Sequence, residues 1–270
     1  MKEYLDLVDR VLTHGIRKHN RTGVDTISCF AEHYTIDLTK GFPLVTTKKV
    51  NFKSLLHEVL WYLSGEDHIR NLRTHTKIWD AWADENGNLE TAYGRFWRRF
   101  PSAKIDPVTG AYVVREIDQI AEVMRILKTQ PDSRRMVISA WEPGNALFSK
   151  LPPCHYTFAF NVFGNALNCH LTQRSGDIAL GIPFNIAAYA LLTQAIAQDA
   201  GYVPGAFSHT IIDAHIYVNH IDGLKEQLKR TPKPLPELRI AHKPIDALRF
   251  EDFELVNYNP DPAIKFDVAV

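Results

Sequence analysis

The run IAAYALLTQAIAQ, residues 186–198, is apolar on nearly every side and is followed by Gly201. It falls short of the roughly 18 apolar residues that cross a bilayer, so a helix of this kind is stable only inside its own protein. The rest of the chain must wrap around it. With 270 residues, 45% of them hydrophobic, there is material for a large core. No shift in composition splits residues 1–270 into two units.

Charge and cysteine usage narrow the class. Lys and Arg number 31, and so do Asp and Glu, which leaves no overall field to attract nucleic acid or an anionic membrane. Any anion site must be local. Cys29, Cys154 and Cys169 are odd in number and lack the CxxC spacing of metal sites, the usage of reduced thiols in an intracellular protein. The N-terminal MKEYLDLVDRVL is patterned as an amphipathic helix and not as a signal segment. A cytoplasmic protein with neither a membrane nor nucleic acid as its main partner is expected.

The flanking elements follow from local patterns. Tyr4, Leu7, Val8, Val11 and Leu12 recur at helical spacing, with Gly15 placed to stop the helix. Arg21-Thr22-Gly23 is a loop, either a plain basic turn or an anion contact. Residues 26–38 alternate as a strand, and Gly41-Phe42-Pro43 turns the chain into LVTTKKV. SLLHEVLWYL, residues 54–63, has Ser54 as candidate N-cap and Glu58 at its middle. That carboxylate either faces water at the helix edge or is buried with a raised pKa.

Trp79, Trp82 and Trp97 fall in a segment of weak periodicity, which is either packed core or a wall for a flat ligand. Residues 101–115 read as an exposed excursion. An amphipathic helix follows, with Ile117, Ile120, Ala121, Met124 and Leu127 on one stripe and Pro131 as its stop. Arg134 and Arg135 then enter the strand MVISAW. Successive strand side chains point to opposite faces, so the two arginines cannot serve one local partner; they are strand-end charges or part of an anion site. Strands at 156–163 and 167–172 turn at Gly164-Asn165, and HTIIDAHIYVNH is another strand leading into a polar helix. TPKPLPEL connects to a last strand in RFEDFELVNY, and PDPAIKFDVAV is apolar enough to dock back on the body.

The chemistry concentrates between Leu151 and His220. Cys154 follows Pro152-Pro153, which fix its backbone approach. As a nucleophile it needs a nearby cation, and a hairpin of the two strands places Arg174 beside it. The bland alternative is a small buried hydrophobe, the reading preferred for Cys169. His155 suggests a Cys-His hydrolase, but sequence neighbours on a strand point apart. A metal site from Asp213, His215 and His220 lacks a fourth ligand, and no metal is expected. Asn185 offers an acceptor and two donors, matching the uracil edge, whereas an aspartate suits cytosine. Arg174 with Ser175 suits a phosphate, and His215 with Tyr217, on one strand face, suits a sugar hydroxyl.

The ordered blocks RTG, TTKKV, LLHEVLW, IWDAWADENG, DSRR, LPPCH, QRSGD, LGIPFNIAAYALLT, DAHIYVNH and the final VAV span essentially the whole chain. Together they resemble the folate-dependent thymidylate synthase family. The resemblance implies one α/β catalytic domain over residues 1–270, of the α+β type. Its large mixed, mainly antiparallel sheet is flanked by helices and forms an obligate homodimer. It implies a methyltransferase that converts dUMP to dTMP with 5,10-methylenetetrahydrofolate as one-carbon and hydride donor. By analogy Cys154 attacks C6 of the pyrimidine, and Glu58 and Tyr93 serve proton transfers at C5. Arg21, Arg174 and Ser175 hold the phosphate, joined by Arg134 and Arg135 from the partner subunit. Asn185 selects uracil, His215 and Tyr217 the 3′-hydroxyl, and Asp177, Trp79, Trp82 and Val270 position the folate.

The sequence departs from the family pattern at Ala159, Thr172, Phe96, Ile211-Ile212 and Phe266-Asp267. β-Branched residues disfavour positive φ, so the backbone at Ile211-Ile212 is expected to be extended or differently shaped. An altered pocket wall motivates one alternative, a dUMP hydroxymethylase in which water replaces the hydride. A catalytically silent nucleotide- or RNA-binding protein is another, opposed by intact Cys154 and Glu58 and by the zero net charge.

Overall fold

The computed structural model describes residues 1–90 and 92–268. Helix α1, Lys2–His14, buries Tyr4, Leu7, Val8 and Val11. Gly15 ends it with extended backbone, not the left-handed turn that usually needs glycine. Close approach is the reason for glycine here, because a Cβ would lie 2.4 Å from the Val11 carbonyl oxygen. Strands β1, Ile16–Lys18, and β2, Thr26–Asp37, follow. Helix α2, Phe52–Ser64, starts two residues before the expected position. Its cap is Asn51, whose side chain accepts from the Ser54 amide, so Ser54 lies inside the first turn.

Helix α3 is Tyr93–Arg98. The excursion after it is a two-stranded hairpin, β3, Phe100–Ile105, and β4, Tyr112–Ile117, with every residue of β4 exposed. Helix α4, Gln119–Thr129, is capped by Asp118 and buries Ile120, Val123, Met124, Ile126 and Leu127. Two members of the expected stripe are thus misplaced: Ile117 belongs to the hairpin and Ala121 faces solvent. Strand β5, Val137–Ser139, and the single turn α5, Pro143–Ala146, lead to β6, Thr157–Phe163.

Strand β7, Ala166–Asp177, runs five residues past the expected end at 172. Helix α6, Gly181–Ala200, begins before the apolar run and ends at Gly201, left-handed at φ 83°. Strand β8, Val203–Tyr217, helix α7, Ile221–Leu228, and the paired strands β9, Glu237–Ile240, and β10, Phe253–Val256, complete the chain.

Six strands form one sheet in the order β1-β2-β8-β7-β6-β5. Every pairing is antiparallel except β7 with β8, for which α6 is the crossover. The sheet is mixed and mainly antiparallel, flanked by helices, as expected. Helix α6 packs on β7 and β8 and against α2 and α4. Its fully buried Ile186, Leu191 and Ile196 each contribute about 1.5–3 kcal/mol of hydrophobic stabilisation.

The Ile211-Ile212 segment is continuous strand within β8. Ile211 is fully buried, and Gly176 opposite makes room for it: a Cβ there would lie 2.9 Å from Ile211 Cγ2 and 2.7 Å from Ile182 Cδ1. The C-terminal segment docks on the body. Asp261 N donates to the Thr46 carbonyl at 2.8 Å, and the Phe266 ring lies 4.6 Å from the Lys48 ammonium. Val270 lies outside the described residues. No helix among the described residues is long and apolar enough to cross a membrane.

Candidate active site

The turn that delivers Cys154 is held by Arg174. The Arg174 amide donates to the Cys154 carbonyl at 2.8 Å, Nε donates to the Pro153 carbonyl at 2.9 Å, and Nη2 donates to the Pro152 carbonyl at 2.6 Å. The guanidinium is thereby fixed with Nη2 3.4 Å from Cys154 Sγ. From the other side, the Cys154 amide donates to the Tyr93 hydroxyl at 2.8 Å. Burial pushes the Cys154 thiol up, while the Arg174 and Arg21 guanidiniums pull it down. The net shift is upward, so the unliganded group rests as a thiol.

His155 turns away, as alternation requires. Its ring stacks on Tyr93 at 3.7 Å and meets the Tyr189 hydroxyl through Nδ1 at 2.8 Å. Burial lowers its pKa to about 3, so it is no base for Cys154. Cys169 is buried within β7, its thiol pushed up to about 12 by burial, the inert core role expected of it. Trp97 is core, edge-on to Phe158 and Tyr189, whereas Trp79 and Trp82 are half-buried.

Glu58 is only half-buried by surface area, yet its surroundings are dense enough for burial to push its carboxyl up to about 7. Hydrogen bonds from Trp79, 2.7 Å from Oε1, and from Tyr62 oppose that shift. A carboxyl poised there exchanges protons near neutrality. Tyr93 is buried at the start of α3, and burial raises its hydroxyl well above the ordinary tyrosine value.

The extension of β7 carries Gln173, Arg174, Ser175 and Asp177, and the early start of α6 brings Asn185 to them. Gln173 Nε2 donates to Asn185 Oδ1 at 3.1 Å. Asp177 Oδ1 accepts from the Ala179 and Leu180 amides at 2.9 and 3.2 Å, which leaves Oδ2 without a hydrogen bond among the described residues. On β8, His215 and Tyr217 share one face with ring centroids 5.3 Å apart. Arg21 is exposed, and its charge is felt by both Cys154 and Tyr217.

Asp213 is occupied by Lys18 and Ser28, with His215 Nδ1 3.5 Å away, and these partners hold its carboxyl below the usual range. His220 Nε2 lies 2.7 Å from the Asp267 carbonyl. No group of three or more His, Cys, Asp or Glu side chains among the described residues is arranged to hold a metal. Arg134 and Arg135 are exposed before β5, and neither guanidinium has a hydrogen bond or carboxylate partner among the described residues. The chain does not itself bring them to Cys154.

Sequence reasoning did not single out Lys48, Gln173 and His209 as individual site residues. Lys48 is 6% exposed, directed at the Ala179 carbonyl, with burial lowering its pKa to about 8. A lysine inside an otherwise apolar and Thr-rich block was the available signal for it.

The family model described as Thymidylate synthase matches residues 2–270. A Haloferax volcanii protein named Thymidylate synthase is 47% identical over 326 residues, an alignment that takes in 98% of this chain and 95% of that relative.

Proposed function

The chain belongs to the thymidylate synthase family, and from that premise we propose that it methylates dUMP to dTMP through covalent attack of Cys154 on pyrimidine C6. The observation that carries the reading is the fixed Arg174 guanidinium 3.4 Å from Cys154 Sγ. It favours the thiolate at the moment of attack.

As Sγ bonds to C6, the C5–C6 electron pair shifts toward C5 and O4. Asn185 Nδ2 donates to O4 and its Oδ1 accepts N3–H, steadying the charge that develops there. Glu58, with its carboxyl near 7, holds and moves protons on the O4 and C5 side. Tyr93, anchored by the Cys154 amide, takes part in removing the C5 proton. Loss of the C5 proton lets the one-carbon unit part from the folate nitrogen, and as the hydride reaches that carbon Sγ leaves C6 and the C5–C6 double bond returns. Arg21, Arg174 and Ser175 bind the phosphate, and His215 with Tyr217 binds the 3′-hydroxyl.

The cosubstrate 5,10-methylenetetrahydrofolate supplies the carbon and the hydride. The residues present fit a flat, N–H-bearing ring: Asp177 Oδ2 has no hydrogen bond among the described residues, and Trp79 and Trp82 offer half-buried indole faces. Val270 is assigned to closing over it.

The reading treats residues 1–270 as one cytoplasmic catalytic domain that works as an obligate homodimer through the sheet. Arg134 and Arg135, whose guanidiniums have no partner among the described residues of their own chain, reach the partner's phosphate site. Support comes from Phe30, Val137 and Phe163, large apolar side chains that the sheet strands leave exposed. The hydroxymethylase alternative is not favoured. Ile211 is packed in the core and Phe266 is docked, so neither departure opens a route for water.

Tritium release from C5-tritiated dUMP tests the reading. Folate-dependent release that disappears in Cys154→Ser is expected; a wild-type protein that releases none overturns it.

A further inference from the structure

Behind Asn185 lies a buried line of polar groups, Gln173, His209 and Tyr34. The Ser175 carbonyl is an acceptor by its nature, so the Gln173 atom 2.9 Å from it is the amide nitrogen. The second hydrogen on that nitrogen faces Asn185, which must therefore present Oδ1. Gln173 Oε1 is then left 3.1 Å from His209 Nε2, so Nε2 carries the ring proton and donates. Nδ1 is bare and accepts from the Tyr34 hydroxyl at 2.6 Å.

Each polarity is dictated by the one before it, starting from a backbone carbonyl. Tyr34 and His209 are paired directly across β2 and β8, and Gln173 is on the neighbouring β7. Their exposures are 7%, 0% and 3%, so a broken link leaves an unpaired group in the interior. Burial, and then the nearby histidines 155, 170 and 33, keep His209 neutral by lowering its pKa well below the ordinary value.

The geometry points to His209, held by Tyr34, as a positioning residue that sets pyrimidine specificity by locking the amide orientation of Asn185 through Gln173. This rests on the assignment of Asn185 to the pyrimidine edge. With Oδ1 turned toward Gln173, its second lone pair accepts N3–H and Nδ2 donates to O4, the pattern of uracil. A flipped amide would instead donate to an unprotonated N3 and accept from a 4-amino group, the pattern of cytosine. Flipping Asn185 alone sets two amide N–H groups against each other. Flipping Gln173 with it sets Oε1 against the Ser175 carbonyl and an N–H against His209. His209 is the only partner that holds the carbonyl end of Gln173 among the described residues. Without it, Gln173 is held only through Nε2 by the Ser175 carbonyl, can turn about that one contact, and its grip on Asn185 loosens.

The test compares dissociation constants for dUMP and dCMP in wild type, His209→Phe, Tyr34→Phe and the double variant, with thermal melting to confirm folding. The dUMP preference should fall by roughly fivefold to tenfold in His209→Phe, the worth of one hydrogen bond. A smaller loss is expected in Tyr34→Phe and no further loss in the double variant. Unchanged preference in both single variants overturns the proposal, and so does additive loss, which a merely structural role would give. If His209→Phe does not fold, Tyr34→Phe decides alone. Asn185→Asp is the control: if it shifts preference while the relay variants do not, the relay alone fails. If Asn185→Asp changes nothing, the base-recognition reading fails and the relay with it.

Discussion

Arg174 Nη2 lies 3.4 Å from Cys154 Sγ while the same guanidinium is held by the carbonyls of Pro152 and Pro153. The cation is therefore fixed before any substrate arrives, and nothing need reorganise to favour the thiolate. Because burial opposes it, the resting cysteine stays protonated.

Removing the guanidinium should raise the thiol pKa further. In Arg174→Leu the pH midpoint for alkylation of Cys154 is expected to move upward by about one unit. The rate is followed with Cys154→Ser as blank for Cys29. A midpoint that stays put or falls would detach Arg174 from the nucleophile.

Cys154→Ser should lower turnover by on the order of 10⁴-fold or more and leave dUMP binding largely intact. Calorimetric titration beside a turnover assay separates the two. Equal loss of both would make Cys154 a structural residue.

Glu58 should mark the stability profile. Its folded pKa, about 7, stands above the ordinary 4.5, so the unfolded chain ionises first as pH rises. Below 4.5 both states are protonated and there is no penalty. Stability falls through the window from 4.5 to about 7 and stays lower above it. Glu58→Gln abolishes that fall, and at pH 8 it should be more stable than wild type by about 1–3 kcal/mol relative to pH 4. Denaturant titrations at the two pH values check this, and a difference that does not grow with pH contradicts it.

The assignment of Arg134 and Arg135 across the interface has a mixing test. Cys154→Ser and the double variant Arg134→Ala, Arg135→Ala should each be inactive or nearly so. Mixed subunits regain activity, because one site then combines an intact cysteine with the partner's intact arginines. No recovery after subunit exchange would return the arginines to their own chain.

The buried helix was legible in the sequence because apolarity on all sides leaves it one environment. The Cys154 and Arg174 pair was legible because a hairpin turning at Gly164-Asn165 brings 154 and 174 together, and β6 pairs with β7 in that register. The reach of β7 to Asp177 was not. Gln173 to Asp177 are polar by composition, and they become strand only because β8 pairs alongside them. The cap of α2 was misread since Asn51 and Ser54 are equally good local candidates, and the first turn decides between them only in three dimensions. Tyr34, His209 and Gln173 carry no local signal at all. They meet because three strands distant in sequence are neighbours in the sheet.

The central claim is a reductive methylation, and one mixture tests it. Purified protein, dUMP and 5,10-methylenetetrahydrofolate are combined, dihydrofolate is followed by absorbance, and the nucleotide product is identified by mass. The account predicts dTMP and dihydrofolate in equal amounts. A hydroxymethylated nucleotide without dihydrofolate, or no nucleotide product, would contradict it.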